Sequence, residues 1–404
     1  MRIKTGNQGF LRQQNLSGVL NHLYENAPVS RIELARLTGL NKATVSSLIS
    51  ELIETGYVQE IGEGTDRRAG RREVMLDIDP SRGCIVSVEI GVGFISIVCT
   101  DFKAGIFWRH RETTENSQPS PVIDKTIKLI RKARSAGERK GEPLLGIAIG
   151  IPGLIDQKRG SLLFAPNLGW RNIDVLHVLQ NSFDIPIFID NEATLAALGE
   201  KYFGVAKGHN NVLYISAGIG IGGGLIVNGQ LYNGAAGFAS EFGHMTMDRN
   251  GLACGCGNFG CWETLASQAA LFRYVKDSVL AGKKSLLRNL TDKGSGGLSI
   301  SLIKDAAEKG DKVALEALKI TGVNLGVGID ALVKTFDPEI VVFGGRLSLA
   351  SEFLLPIIKQ ELCNRTMFEG THEIPVMAAH FGSDAAVMGG VAKIFQSVLA
   401  NPGA

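Results

Sequence analysis

The segment GHMTMDRNGLACGCGNFGCWE, residues 243–263, places four side chains of the zinc-binding kind within eighteen residues. They are His244, Cys254, Cys256 and Cys261, and glycines alternate with the cysteines. Thiolates and one imidazole complete a tetrahedral zinc shell, and a shell without an open position fixes a loop instead of activating water. Glycine supplies the positive φ angles that neighbouring ligands need to turn toward one ion. The segment predicts a structural zinc knuckle; three loosely clustered free cysteines are the alternative.

Two carboxylates, Glu241 and Glu263, flank the predicted knuckle. A metal ion between them would hold both side chains in fixed places. The segment therefore predicts a ligand-binding site beside the metal rather than metal catalysis. The alternative is a pair of surface carboxylates next to a structural loop.

Length and composition limit the possible classes. A chain of 404 residues predicts two or three domains at about 100–200 residues each. Its 50 glycines exceed the usual fraction of about 7% without a collagen period, which indicates many sharp turns. The net charge of +2 requires any nucleic-acid contact to come from a local patch. Six cysteines, three of them in the knuckle, suit a reducing compartment better than a disulfide framework.

Neither a signal peptide nor a membrane span is evident in the sequence. The first residues, MRIKTGNQ, lack an apolar core. The longest apolar run, residues 144–155, is interrupted by Gly and Pro and is too short to cross a bilayer. A cytoplasmic protein without membrane partners is expected.

Residues 1–78 are predicted to form a DNA-binding module of three short helices and two strands. Apolar residues at helical spacing mark the first and third helices. Ser30 with Glu33 forms a capping-box pattern at the start of the second helix, and Gly39 ends it. The tight turn that follows matches a helix-turn-helix, and a plain helical bundle is the alternative.

A Gly-rich tip with four arginines, between two strand-like runs, completes the pattern of a winged helix. Arginines on such a tip grip phosphates or enter a narrow minor groove. Small polar residues at the start of the third helix suit a major groove. The predicted DNA contacts are therefore Asn41, Lys42, Thr44, Ser46, Ser47, Arg67, Arg68, Arg71 and Arg72.

Beyond residue 80 a similar order of strands, glycine turns and helices occurs twice. This repetition predicts a duplicated α/β fold with a cleft between two lobes. The first lobe is expected to span residues 79–200 and to be completed by a C-terminal helix within 384–404, and the second lobe spans 201–383. A helix is predicted from about Pro121 to Ala136, with Pro119 and Pro121 marking a loop before it.

Seven motifs in this order resemble the ROK family, which groups sugar-responsive repressors with sugar kinases. They are EIGVG, GIPGLID, PNLGW, DNEA, SAGIGIGGG, EFGH and CGCGNFGCWE. The resemblance covers nearly the whole chain and implies an actin-like, RNase H-like (ASKHA) fold in two lobes. The amino-terminal winged helix resembles that of the family's repressors, because the family's kinases generally lack such a module. DNEA, EFGHM and CWE look most like the xylose-repressor branch.

The resemblance also implies a sugar site. Carried over from the family's motifs, the sugar-binding residues are Asn191, Glu192, Glu241, His244 and Glu263. His244 would then contact zinc through one ring nitrogen and the sugar through the other. Asn167 and Trp170 of the PNLGW loop are further candidates, although a tryptophan there is equally suited to the core.

Three departures from the family's kinases argue against phosphoryl transfer. Glu192 stands in place of a catalytic Asp, and its extra methylene moves the base. The phosphate turn Asp-x-Gly-x-Thr reads EIGVGF over residues 89–94, with Phe94 at its end. Ile219 replaces the Thr of a Gly-Thr-Gly loop. The expectation is a protein without catalytic residues.

The sequence thus predicts a transcriptional repressor, a homodimer or homotetramer, that binds operator double-stranded DNA and is released by a small sugar. A neutral sugar is favoured because no cluster of Arg or Lys lies among the site motifs. Two alternatives stay open: a ROK sugar kinase that retains a DNA-binding arm, and a repressor released by a protein partner.

Overall fold

The computed structural model describes residues 8–63, 73–114, 118–138, 140–291, 297–365 and 374–402. Its first part is a three-helix module with a small antiparallel sheet of strand order β1-β3-β2. This arrangement confirms the predicted winged helix. The elements are α1 (Gln8–Asn26), β1 (Val29–Ser30), α2 (Arg31–Thr38), α3 (Lys42–Glu54), β2 (Val58–Glu63) and β3 (Val74–Ile78).

Local capping explains where these helices begin and end. Ser30 Oγ accepts a hydrogen bond from the Glu33 amide, and Asn41 Oδ1 accepts one from the Thr44 amide at 2.8 Å. Gly39 ends α2 with a φ of 69°. Only half of the predicted capping box forms, because the Glu33 carboxylate pairs with Arg36. The first helix is also not short, since α1 has 19 residues.

Thirteen further strands among the described residues form two five-stranded sheets and one three-stranded sheet. In chain order they are β4 (Cys84–Gly91), β5 (Phe94–Thr100), β6 (Ile106–Thr113), β7 (Leu144–Ile151), β8 (Leu154–Asp156), β9 (Ser161–Ala165), β10 (Trp170–Ile173), β11 (Ile187–Asn191), β12 (Val212–Ala217), β13 (Ile221–Val227), β14 (Gln230–Leu231), β15 (Ile340–Gly344) and β16 (Val376–Ala378).

The two large sheets have the same topology. The first has the order β11-β7-β4-β5-β6 and the second the order β14-β13-β12-β15-β16. When the second order is reversed, the two sheets match strand for strand. In each, the central strand, β4 or β12, has two parallel strands on one side and two strands in antiparallel pairing on the other. The predicted duplication is therefore confirmed. Each large sheet forms one lobe together with the helices packed on it. The first lobe contains β4 and the second lobe contains β12.

Helices cover the two sheets. In chain order they are α4 (Pro119–Glu138), α5 (Val175–Gln180), α6 (Glu192–Phe203), α7 (Glu263–Ala266), α8 (Gln268–Leu280), α9 (Arg288–Thr291), α10 (Ile300–Glu308), α11 (Lys312–Phe336), α12 (Ser351–Arg365) and α13 (Ala385–Ala400). The prediction that Pro119 and Pro121 mark a loop is wrong, because both lie in the first turn of α4. Proline is tolerated there because the first amides of a helix have no intrahelical partner.

One hydrophobic cluster joins the winged helix to the first lobe. It includes Leu20 of α1, Val45 of α3 and Phe102, together with Val391 and Phe395 of α13. All five side chains are at most 1% exposed. The winged helix and the lobe therefore share a core. Each lobe also has a core of its own.

Among the residues described, none of the helices combines the length and apolar character that crossing a bilayer requires.

Candidate sugar cleft and metal cluster

A cleft of about 450 Å³ opens between the two lobes. This volume is within the range of about 300–1,000 Å³ that is usual for small-molecule sites. The structure brings all six predicted sugar-binding residues to its wall, although they come from four separate segments. They are Asn167, Asn191, Glu192, Glu241, His244 and Glu263.

Asn191 stands where β11 ends and α6 begins. Its Oδ1 caps the helix by accepting hydrogen bonds from the amides of Ala193 at 2.8 Å and Thr194 at 3.2 Å. Its Nδ2 donates to the Gly153 carbonyl at 3.0 Å. These bonds fix the amide at the cleft wall, so a ligand at Asn191 contacts the first turn of α6.

Glu192 is the first residue of α6. Its Oε2 is shielded from solvent and has no hydrogen-bond partner among the described residues. Burial raises the pKa of Glu192 to about 7. A carboxyl group in this state gains a hydrogen bond when a hydroxyl group enters the cleft, because an unpaired buried polar group is costly.

His244 faces both the cleft and the cysteines. Its Nδ1 lies 3.6 Å from Cys254 Sγ, and its Nε2 lies 3.9 Å from the Glu241 carboxylate. Burial raises the pKa of Glu241 as well. The two ring nitrogens thus point to different partners, as expected for an imidazole shared between a metal and a ligand site.

The four predicted metal ligands are close enough to share one ion. Their ligand atoms all lie within 4.8 Å of one another. The Sγ atoms of Cys256 and Cys261 are 3.7 Å apart. A tetrahedral ion with metal–sulfur bonds of about 2.3 Å needs a sulfur–sulfur separation of about 3.8 Å. The donor set and its spacing therefore fit a tetrahedral metal ion.

The backbone of the knuckle depends on glycine at one close approach. A Cβ atom at Gly260 would lie 1.5 Å from the Asp248 carbonyl oxygen, and its φ is 64°. Two isolated β-bridges, Thr246 with Cys261 and Ala253 with Phe259, hold the loop around it. Backbone contacts alone therefore fold the loop on itself.

Glu263 joins the metal cluster to the start of β13, directly after the loop Gly218-Ile219-Gly220 of the second lobe. Its Oε1 accepts a hydrogen bond from Cys254 Sγ at 2.9 Å, and its Oε2 accepts one from the Ile221 amide at 3.4 Å. Movement of the knuckle would therefore move a carboxylate of the cleft.

Sequence reasoning missed the charged end of the cleft. Glu89, Arg111 and Arg346 line it together with Phe94. The guanidinium carbon of Arg111 is 4.0 Å from the centre of the Phe94 ring, and that of Arg346 is 5.8 Å from it. The site motifs themselves hold no cluster of arginines, and the cleft acquires these two from segments outside the motifs. Neither arginine belongs to a motif, and the alternation of β6 was the only available signal for Arg111.

Trp170 is part of the core, with 2% of its surface exposed. The choice between core and ligand platform is thereby settled for this residue. Asn167, three positions earlier, lines the cleft.

The predicted DNA contacts on α3 lie on its outer face. Asn41, Lys42, Ser46 and Ser47 are exposed, and Thr44 is half-buried. Arg67, Arg68, Arg71 and Arg72 lie outside the described residues.

Glu89 predicts a pH dependence of stability. Burial, followed by the neighbouring Glu192 carboxyl, raises the pKa of Glu89 from its ordinary 4.5 to about 8. Between these values the unfolded chain releases a proton that the folded chain keeps. Stability therefore falls as pH rises, by up to about 1.4 kcal/mol per pH unit for one group.

Denaturant midpoints measured from pH 5 to 9 should fall less steeply for Glu89→Gln than for wild type. Glu316→Gln, at an exposed site on α11, should keep the wild-type slope, and parallel curves for all three proteins would contradict the assignment.

Comparison with known proteins identifies related chains. The ROK family model matches residues 85–397, and the MarR family model matches residues 17–69. The xylose repressor of Caldicellulosiruptor bescii is 34% identical over 98% of this chain and 99% of its own length. The crystal structure of a ROK family transcriptional regulator, a homologue of the Escherichia coli MLC protein, has a TM-score of 0.82 at 26% identity and covers 97% of both chains.

A catalytic relative matches a smaller share of the chain. The ROK family glucokinase from Streptomyces griseus, solved with glucose and AMPPNP, is 32% identical with a TM-score of 0.68. It covers 76% of this chain and 98% of its own. The regulators thus match the chain with its winged helix, whereas the kinase matches a shorter part. Because the family model spans well over half of the residues, the chain belongs to the ROK family.

Proposed function

We propose that this protein is a transcriptional repressor that binds operator DNA and leaves it when a sugar, xylose or a related one, occupies the cleft. One observation carries the proposal: a single chain joins a winged helix to a cleft that all six predicted sugar-binding side chains line. The full-length similarity to a xylose repressor supports the choice of sugar.

The chemistry of the cleft suits a polyhydroxylated ligand. Carboxylates and an amide accept and donate several hydrogen bonds at fixed angles, and such an arrangement distinguishes one sugar from another. These groups are supplied by Asn191, Glu192, Glu241, His244 and Glu263, together with Asn167 from the loop between β9 and β10. Among the described residues that line the cleft, the arginines are Arg111 and Arg346, and both lie over the Phe94 ring.

We further propose that the metal is zinc and that its role is structural. His244, Cys254, Cys256 and Cys261 would hold it, because nitrogen and sulfur donors at this spacing match its preferences. When bound, zinc supplies a fixed tetrahedral anchor for the loop. His244 would then be held as a ligand with its Nε2 toward Glu241, and Glu263 would keep its hydrogen bond from the Ile221 amide.

The residues at the catalytic-base and phosphate-binding positions support a regulator without kinase activity. Glu192 carries an extra methylene, and Ile219 lacks a hydroxyl group. The Phe94 ring contacts the guanidinium of Arg111, so an aromatic contact stands in the turn where family kinases have a threonine. Phosphoryl transfer needs anchors for the phosphates and their metal ion, and these positions offer none of the usual ones.

Tight operator binding is expected to require two winged helices, because one supplies too few base and phosphate contacts. We therefore propose a homodimer or homotetramer. The sugar would favour an arrangement of the two modules that no longer matches the half-site spacing. The coupling is reciprocal, so operator DNA should weaken sugar binding by the same factor.

Operator binding with and without sugars tests the proposal. Fluorescence anisotropy would follow binding to DNA from upstream of the protein's own gene and of adjoining operons, with xylose, glucose and other free sugars added in turn. One sugar should weaken operator affinity by roughly 5–150-fold, the usual range of allosteric coupling. Tight binding that no sugar disturbs would contradict sugar release and favour a protein partner.

The kinase alternative has a separate readout. ADP release should stay at background when xylose or glucose and ATP are supplied with magnesium. Sustained ADP release that depends on the sugar would overturn the assignment as a regulator alone.

A further inference from the structure

We propose that α6 transmits sugar binding to the DNA-binding module through the hydrogen bond between Tyr24 and the Tyr202 carbonyl. The inference rests on the proposed function and specifies how the cleft regulates DNA binding. It starts from one observation: the two ends of α6 contact two different functional parts of the molecule.

The first turn of α6 is part of the cleft. Asn191 caps the helix and Glu192 is its first residue, and both line the cleft. A ligand that bonds to these side chains changes the forces on the cap and on Glu192 Oε2, which has no hydrogen-bond partner among the described residues. Any displacement therefore acts directly on the helix, without an intervening loop.

The middle of α6 is packed too tightly to absorb such a displacement. A Cβ atom at Gly199 would lie 2.7 Å from the Gly389 amide, and one at Gly389 would lie 1.8 Å from the Leu195 carbonyl oxygen. The backbones of α6 and α13 are thus in direct contact. Glu200 ties the far end down, because its carboxylate accepts bonds from the amides of Val205 and Phe381. Close-packed elements move as units instead of deforming.

The last turn of α6 contacts α1, the first helix of the DNA-binding module. Tyr24 of α1 donates its hydroxyl to the Tyr202 carbonyl at 2.7 Å. The Tyr24 ring lies 4.7 Å from the Phe395 ring and 6.0 Å from the Tyr202 ring, measured between centroids. A helix of 12 residues spans about 18 Å, so α6 connects the sugar cleft to the DNA-binding module as one rigid element.

Tyr24→Phe tests the connection. The variant keeps the aromatic ring and removes the hydroxyl, so the protein should fold. The measured quantity is the ratio of operator Kd with saturating xylose to operator Kd without it. We expect this ratio to fall by roughly 2–30-fold, the effect usual for residues between coupled sites. Affinity for operator alone and for xylose alone should stay close to wild type.

Tyr57→Phe is the matched control. Tyr57 lies between α3 and β2, and its hydroxyl accepts a hydrogen bond from Arg82 at 3.1 Å, a contact of the winged helix that involves neither α6 nor α13. This variant loses the same group and should keep the wild-type ratio. An unchanged ratio in Tyr24→Phe would overturn the inference, and so would an equal loss in both variants, because the route would then not run through α6.

Hydrogen exchange separates this inference from the proposed function. With xylose bound, amide exchange should change both in residues 192–195 and in residues 199–203 and 20–24. A change confined to the first of these segments would leave sugar binding intact and overturn the route. If xylose and glucose alter neither exchange nor operator binding, the proposed sugar response fails first, and the inference falls with it.

Discussion

Cys256→Ser is expected to abolish stoichiometric metal binding and to weaken sugar binding by about tenfold, the lower end of the roughly 10–100-fold loss of metal affinity or activity that follows removal of groups orienting metal ligands. A zinc shell that has lost one of its four ligands is open to solvent and binds weakly. The knuckle would then loosen, and with it two cleft residues. His244 belongs to the cluster itself, and Glu263 lies beside it, with Oε1 3.7 Å from His244 Nδ1.

The control is Cys363→Ser, which changes an exposed cysteine on α12. Metal content by elemental analysis and xylose affinity by calorimetry should both stay at the wild-type level in this protein. Cys256→Ser with a full complement of zinc, or with unchanged xylose affinity, would contradict the coupling of knuckle and cleft. Removing the metal from wild type with a chelator should reproduce the sugar-binding defect.

Gly389→Ala is expected to lower the free energy of unfolding by about 3 kcal/mol or more, at or beyond the upper end of the usual cost of overpacking. The added methyl group would lie 1.8 Å from the Leu195 carbonyl oxygen. This atom belongs to the backbone of α6, so no side-chain rotation relieves the clash. The two central helices must separate, and the core they share with the winged helix opens with them.

Gly18→Ala provides the comparison, because a Cβ atom at Gly18, also inside a helix, meets nothing within 4 Å. Helix propensity alone should then stabilise the protein by up to about 1 kcal/mol. Urea unfolding of the three proteins measures both effects. Equal stability of Gly389→Ala and wild type would mean that α6 and α13 are not in backbone contact in solution.

The sequence was informative wherever neighbours along the chain act together. Asn191 and Glu192 are adjacent at a strand–helix junction, and the metal ligands lie within eighteen residues. Local hydrogen bonds also fixed helix starts, as at Asn41. Such features depend on backbone geometry over a few residues, so their spacing is visible before the fold is known.

Contacts between distant segments were not visible in this way. Arg111 and Arg346 meet around Phe94 because β6 and the turn after β15 converge on one cleft. Glu89 was read only as part of an altered phosphate turn, yet its surroundings raise its pKa to about 8. Trp170 begins β10, and its burial depends on packing into the hydrophobic core of the first lobe. Tertiary structure alone decides these placements.

The core shared by α1, α3 and α13 has a consequence for synthesis on the ribosome. Roughly 300 residues separate the winged helix from α13, and translation at about 5–20 residues per second takes roughly 15–60 s to cover them. During this interval the nascent winged helix lacks the surface formed by Val391 and Phe395. The order of synthesis thus places completion of the core of the winged helix after both lobes have emerged.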